Sequence, residues 1–195
     1  MEQYSFNIFN KFAENGIFSS LNNLYFQKTP VIICVGTDGV MGDSVGPLVG
    51  SMLKEKNLPA FIYGELFNPI TAREIESVKE FVKKTHPDSK VLVIDSAVGE
   101  QEEVGAIKIC DSGIKPGLGA KKDLPFLGDV SVMAVVEKKG KVENLKNVRL
   151  RLVYKMAMLI SSAIEKHILY NLKKDEGFKS LTKLSKGFKK VGNLG

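Results

Sequence analysis

Two apolar runs, Val31–Val35 and Val91–Ile94, contain no polar residue and show no alternation of apolar and polar positions. A strand with one solvated face alternates, whereas a strand that is covered on both faces is a continuous apolar run. Such strands occur mainly in parallel sheets between helices. The two runs therefore predict an α/β fold, a three-layer α/β/α sandwich with a mostly parallel, twisted sheet.

The rest of the chain fits an alternation of strands and helices. Apolar residues at helical spacing predict three helices, and short β-rich runs predict three further strands. The N-terminal region has phenylalanines among Asn and Ser, which we interpret as a short, loosely attached helix. In chain order, these elements cover residues 5–24, Ser44–Lys56, Phe61–Gly64, Thr71–His86, Ala106–Cys110, Val130–Val136 and Val148–Leu172.

The length of 195 residues fits one domain, which we place at residues 1–172, with the motif-bearing part at 31–165. Residues 173–195 form a basic tail with seven lysines and two acids, so the tail carries +5 of the net charge of +6. The body is close to neutral, which argues against nucleic-acid binding through it. The apolar tail residues could form one helical stripe on an anionic membrane, but we expect a docked terminal helix or a frayed tail instead.

The predicted location is the cytoplasm. The N-terminus lacks a basic segment followed by a continuous apolar run, so we expect no signal peptide, and no apolar run is long enough for a spanning helix. Cys34 and Cys110 lie in apolar runs without metal-type spacing, and we interpret them as buried hydrophobic residues in a reducing compartment.

Two acids, Asp43 and Asp95, follow buried strands, which is where ligands bind in α/β sheets. If the two strands are neighbours, both carboxyl groups face one crevice. Paired carboxyl groups can share a proton, so that one activates water while the other donates a proton. Each acid also has a simpler interpretation, since Asp43 can cap a helix and Asp95 can be an ordinary residue at a loop entry. On the pairing hypothesis, Asp43 and Asp95 are the catalytic residues.

Other polar residues are candidates for substrate binding at the same crevice. Thr37, Asp38 and Gly42 lie in the glycine-rich segment that leads to Asp43, while Lys115 and Asp129 come from later loops; each also has an interpretation as an ordinary loop residue. The two histidines, His86 and His167, belong to no motif, and we expect both to lie away from the crevice. We predict no metal ligands and no cofactor, because dinucleotide, phosphate-loop and catalytic-serine motifs are absent from the sequence.

Three segments together carry a resemblance to a known family. VGTDGVMGDSVGPLVG, VLVIDSAVG and GAIKICDSGIKPGLGAKKDLPFLGDVSV, in that order, resemble the YyaC-type sporulation proteins. Those proteins are similar to the spore germination protease and, more distantly, to hydrogenase maturation proteases. The resemblance implies a phosphorylase/hydrolase-like α/β/α sandwich and matches Asp43 and Asp95 to the two aspartates that are taken as catalytic in the germination protease. Hydrogenase maturation proteases bind nickel through two acids and a histidine, and the third segment here contains no histidine.

Three functions remain open at this point. The first is an aspartate-dependent endopeptidase of spore formers, related to the germination protease, with a protein or peptide substrate. The second is a non-catalytic sporulation protein with a peptide-binding crevice, and the third is a metal-binding hydrolase that uses the same acids. The sequence leaves a homo-oligomer open.

Overall fold

A computed structural model describes residues 2–25, 29–116 and 126–191, with the backbone alone for 175–191. These ranges contain six strands and four α-helices, joined by short turns of 3-10 helix. The strands are β1 (Gln3–Asn7), β2 (Val31–Cys34), β3 (Phe61–Tyr63), β4 (Val91–Gly99), β5 (Ala106–Cys110) and β6 (Val130–Lys138). The helices are α1 (Ala13–Leu24), α2 (Val45–Glu55), α3 (Ile75–Thr85) and α4 (Leu150–Val191).

All six strands form one sheet in the order β1-β5-β6-β4-β2-β3. The four strands from β6 to β3 are parallel, whereas β5 is antiparallel to both β6 and β1. The apolar runs that predicted a doubly covered parallel sheet are β2 and the first half of β4, which are neighbours in register from Val31↔Val91 to Cys34↔Ile94. The predicted α/β fold is confirmed.

Helices cover both faces of the sheet. Alternate residues of β2 and β4, such as Ile32 and Ile94, face a larger core that α1, α2 and α4 complete. The residues between them, such as Ile33 and Val93, face a smaller core under α3. Both faces of the central strands are therefore buried, which is the physical reason for their continuous apolar sequence.

The N-terminal prediction was wrong in two ways. Residues 3–7 form β1, which pairs with β5 from Gln3↔Cys110 to Asn7↔Ala106, and only then does α1 begin. The helix is also firmly packed, since Ile17 and Leu21 are fully buried in the larger core. Tyr4 and Phe6 pack against that core while the residues beside them are exposed, an alternation typical of an edge strand.

Side chains fasten the edge of the sheet at which the parallel strands begin, called here the amino edge. The hydroxyl of buried Tyr25 lies 3.1 Å from the Val31 amide, which donates to it, and 3.1 Å from the Lys90 carbonyl oxygen, to which it donates. The Asp129 carboxylate accepts from the Val91 amide over 2.8 Å. These contacts join the starts of β2, β4 and β6.

The long helix α4 extends beyond its predicted end at Leu172, and its backbone is helical to Val191. Leu172 is the last residue of α4 whose side chain packs against the larger core. The apolar stripe predicted for the tail consists of side chains that lie outside the described part of the structure. Residues 117–125 of the third sequence motif also lie outside it. None of the helices, over the residues described, is both long and apolar enough to span a bilayer.

Candidate functional site

The candidate site is built at the opposite edge of the sheet, where β2 ends and β4 continues, called here the carboxyl edge. The Val35 amide donates a hydrogen bond to the Ile94 carbonyl oxygen over 2.8 Å, and this bond ends the pairing of the two strands. At Gly36 the chain leaves the sheet, whereas β4 runs on to Gly99 beside β6. The sequence predicted that Asp95 follows the strand, but it lies inside β4. It stands beside the loop that leaves β2.

That loop returns to the strand end and brings Asp43 with it. Asp43 closes a turn of 3-10 helix, Met41–Asp43, and its carbonyl oxygen accepts a hydrogen bond from the Thr37 amide over 3.0 Å. The close return depends on two glycines: a Cβ atom at Gly36, where φ is +135°, would overlap with the Asp43 carbonyl oxygen, and one at Gly46 would overlap with that of Val35. The glycine-rich sequence thus presses the Asp43 turn and the start of α2 onto the end of β2.

Burial sets the electrostatics of Asp43. Its side chain is partly buried, and burial raises the pKa of its carboxyl group to about 6, against a smaller lowering by a hydrogen bond from the Thr37 backbone. A carboxyl group with this pKa can exist in either protonation state near neutral pH, as a general acid or base must.

Asp95 is more deeply buried, at 6% exposure. Its Oδ1 accepts a hydrogen bond from the Ser96 amide over 2.8 Å, which fixes the orientation of the carboxyl group. Because side chains alternate along a strand, Asp95 follows Val93 toward the α3 layer, while Ser96 follows Ile94 toward the α2 layer. The Asp43 turn leads into α2 and contacts β4, so the two acids reach one edge from opposite layers of the sandwich.

Thr37 and Asp38 lie in the loop of Asp43, as the sequence predicted. Thr37 is partly buried, and its Oγ1 accepts a hydrogen bond from the Gly39 amide over 3.2 Å, while Asp38 is exposed on the outside of the loop. Gly42 is different, because a Cβ atom there would crowd Leu145 and Val148. Its absence of a side chain thus serves packing against the turn that precedes α4, in place of the predicted substrate contact.

Asp129 and Lys115 do not join this site, which corrects two predictions. Asp129 precedes β6 and pairs with Val91, and because β6 is parallel to β4 the residue before it lies at the amino edge. Lys115 follows Ile114, which bridges Leu127 just before Asp129. The antiparallel strand β5 delivers this segment to the amino edge as well, so that both residues are separated from Asp95 by the first half of β4.

Both histidines also lie away from the two acids. His167 is buried beside Tyr25, with its Nδ1 atom 2.7 Å from Asn22 Oδ1, and burial lowers its pKa to about 4. His86 Nε2 lies 2.7 Å from the hydroxyl of Tyr63, and its ring stacks obliquely on Phe61 at the start of β3. Among the side chains described, no three His, Cys, Asp or Glu residues cluster as a metal site would require. The acid–acid–histidine donor set of a nickel site therefore does not fit here.

Sequence reasoning did not single out Ser96, although it directly follows Asp95 in VLVIDSAVG. Its hydroxyl oxygen is buried and has no hydrogen-bond partner among the described residues. The only available signal was its position next to a candidate acid on the same strand. A hydroxyl in this position adds a hydrogen-bond donor to a site that otherwise consists of two carboxyl groups.

Comparison with known sequences agrees with the predicted resemblance to the YyaC-type proteins. The chain is 38% identical over 140 residues to YyaC of Bacillus subtilis strain 168, described as an uncharacterized protein, and the match covers 70% of this chain and 68% of the relative. A solved structure of the NiFe hydrogenase maturation protease HycI from Thermococcus kodakarensis KOD1 covers 72% of this chain and 98% of its own, with 19% identity and a TM-score of 0.40. The family described as "Protein of unknown function (DUF1256)" matches residues 3–163. The chain belongs to this family.

Proposed function

We propose that this protein is an aspartate-dependent peptidase of spore formers, related to the spore germination protease, that hydrolyses a peptide bond between Asp43 and Asp95. The proposal joins the motif resemblance to the chemistry of the carboxyl edge. Its substrate is a protein or peptide chain. Two carboxyl groups that reach one sheet edge from opposite layers can flank an extended backbone from two sides.

The raised pKa of Asp43, at the same edge of the sheet as buried Asp95, is the observation that supports this proposal. A loop acid that only capped α2 would gain from being ionised at the helix N-terminus. Ser44 is the residue before α2, however, and no side-chain capping bond is formed there. The burial of Asp43 thus costs free energy in the ionised form without a capping bond in return, which is typical of a functional carboxyl group.

The proposed mechanism assigns one role to each acid. The Asp95 carboxylate accepts a proton from a water molecule as the water oxygen attacks the peptide carbonyl carbon. Asp43, in its protonated form, donates its proton to the amide nitrogen as the carbon–nitrogen bond breaks. Asp95 has then gained one proton and Asp43 has lost one. Transfer of a proton from Asp95 to Asp43 returns both acids to their starting states.

Hydrolysis of an unfolded protein, such as reduced casein, tests the proposal. Asp43→Asn and Asp95→Asn are each expected to lower kcat by about 10²–10⁴-fold, the usual contribution of a general acid or base. Asp129→Asn is the matched control, since it removes a carboxylate at the amino edge but keeps an oxygen for the Val91 amide. Equal activity of the wild type and both site variants would exclude catalysis by these acids.

The alternative of a non-catalytic peptide-binding protein gives a different result in the same experiment. Labelled casein peptides would then bind without cleavage, and binding would depend on the carboxyl edge and not on the ionisation of Asp43. The metal-binding alternative gains no support from the donor groups, because Asp129 and both histidines lie away from Asp43 and Asp95.

A further inference from the structure

Three hydroxyl groups lie on the two segments that carry the acids, and two of them already have partners. Thr37 Oγ1 accepts from the Gly39 amide within its own loop. Ser44 Oγ donates its only proton to the Met41 carbonyl oxygen over 2.7 Å. Both groups thus hold the Asp43 loop in shape, and for the Ser44 hydroxyl this leaves no proton for another molecule.

The third hydroxyl, that of Ser96, differs from these two. Its Oγ is buried without a hydrogen bond among the described residues, although the residue as a whole is only partly buried. The backbone of Ser96 is fixed on both sides, because its amide donates to Asp95 and its neighbours pair with β6. A buried hydroxyl that is left unpaired is unfavourable, so its presence next to Asp95 indicates a partner that the described part of the chain does not supply.

We propose that the Ser96 hydroxyl donates a hydrogen bond to the carbonyl oxygen of the peptide group that binds between Asp43 and Asp95. This inference rests on the proposed peptidase function and extends it, since it names the group that recognises the reacting carbonyl. The alternation of β4 supports this placement, because it sets Ser96 on the layer of the Asp43 turn and one residue from Asp95.

The chemistry of the reaction requires such a donor. When water attacks the carbonyl carbon, the carbon–oxygen double bond becomes a single bond and the oxygen gains negative charge. In the mechanism above, Asp95 takes the proton of the water and Asp43 gives its proton to the leaving nitrogen, so neither acid serves the carbonyl oxygen. Rotation about the Cα–Cβ bond of Ser96 moves its hydroxyl between staggered positions, which lets it turn from its covered position to the bound peptide.

Ser96→Ala tests the inference, with Ser131→Ala as the matched control. Ser131 also lies on a central strand, and its buried hydroxyl is near the Cys110 thiol but forms no well-aligned hydrogen bond. Unlike Ser96, it stands at the start of β6, next to Val130. Each variant is compared with the wild type by urea unfolding, by binding of labelled casein peptides and by hydrolysis of reduced casein. Asp43→Asn is included so that loss of the acid is measured separately.

For Ser96→Ala we expect an unchanged or higher urea midpoint, a kcat that is lower by about 10–100-fold and a KM that changes far less. For Ser131→Ala we expect wild-type kcat. Wild-type kcat in Ser96→Ala, or a fall of its urea midpoint that shows a structural partner, would overturn the inference while leaving the peptidase proposal intact.

If the wild type binds casein peptides without cleaving them, the peptidase proposal fails and the role of Ser96 is decided by affinity. A roughly tenfold weaker binding in Ser96→Ala alone would then support the hydrogen bond to a bound peptide, and equal binding would exclude it. If the wild type neither binds nor cleaves peptides, both the proposed function and this inference are wrong.

Discussion

Gly36 and Asp43 are in direct backbone contact: the α-carbon of Gly36 faces the carbonyl oxygen of Asp43 with no room for a side chain between them. The Thr37 amide donates a hydrogen bond to the same oxygen, which also holds the Asp43 carbonyl group in place. The position of the Asp43 carboxyl group at the strand end therefore depends on a glycine seven residues earlier in the chain.

Gly36→Ala is accordingly expected to lower the free energy of unfolding by at least about 2–3 kcal/mol, because it adds both backbone strain and a steric overlap. Gly140→Ala is the matched control: Gly140 also has a positive φ, of +82°, but no atom lies within 4 Å of an added Cβ. We expect about 1 kcal/mol there, from strain alone. Urea unfolding measures both values, and equal losses would show that the contact with Asp43 is unimportant.

The activity of the proposed peptidase should depend on pH through Asp43. Its pKa of about 6 means that the protonated fraction falls tenfold for each pH unit well above that value. If protonated Asp43 is the general acid, kcat should decline as the pH rises above about 6. A pH–rate profile that is flat across this value would assign the general-acid role to another group.

Asp43 and His167 should affect stability in opposite directions on acidification. His167 has its pKa lowered to about 4, so it favours folding above the unfolded pKa of 6.5, and this contribution is lost as the pH falls from 6.5 to 4. Asp43 has its pKa raised from 3.8 to about 6, so it disfavours folding at neutral pH, and this cost is relieved as the pH falls from 6 to 3.8.

Asp43→Asn should therefore be more stable than the wild type at pH 7 but not at pH 4. Without the opposing effect of Asp43, the loss of stability on acidification should also be steeper in this variant, by the amount that Asp43 contributes in the wild type. Urea unfolding at several pH values measures both effects. A wild-type pH dependence in Asp43→Asn would show that the Asp43 carboxyl group is not buried as described.

Tyr25→Phe should destabilise the fold without affecting the acids at the carboxyl edge. The substitution removes the hydroxyl to which the buried Val31 amide donates, and a buried unpaired group costs about 1–3 kcal/mol. Tyr4→Phe is the control and should be neutral, because the Tyr4 hydroxyl donates to the exposed carboxylate of Glu2. Thermal or urea unfolding measures the stability of both variants, and equal stabilities would contradict this prediction.

A chain that ends at Leu172 should fold and keep any peptidase activity, because the last described core contact of α4 is made by Leu172. The removed segment carries a net charge of +5, so the shortened chain should also lose whatever affinity the full chain has for anionic vesicles. Circular dichroism and vesicle sedimentation measure the two outcomes. Unfolding of the shortened chain would mean that the helix beyond Leu172 belongs to the domain.

Sequence reasoning succeeded where burial alone determines structure. The continuous apolar runs of β2 and β4 exist because helices cover both faces, so the runs themselves indicated the layers and the central strands. The N-terminal strand was missed because five residues with phenylalanine and tyrosine at alternate positions are also compatible with a helix turn. Its structure is determined by its partner, β5, which the local sequence does not specify.

The sheet edge at which Asp43 lies could be predicted, because chain position determines it. Asp43 follows β2, and a residue that follows a parallel strand reaches the carboxyl edge. Asp129 and Lys115 were misplaced because motif order was taken for proximity. Asp129 precedes its strand, and Lys115 follows a strand whose antiparallel direction is set only by its pairing with β6.

The separation of the two sheet edges bears on how this fold can change. From Val91, which is fastened to Asp129, to Asp95 is four residues of β4, or about 13 Å at the rise of a strand. Substitutions that far apart usually have additive effects on stability. Variants that strengthen the hydrogen bonds of Tyr25 or Asp129 can thus compensate for costly changes around Asp43, which lets the carboxyl edge change its sequence without loss of the folded state.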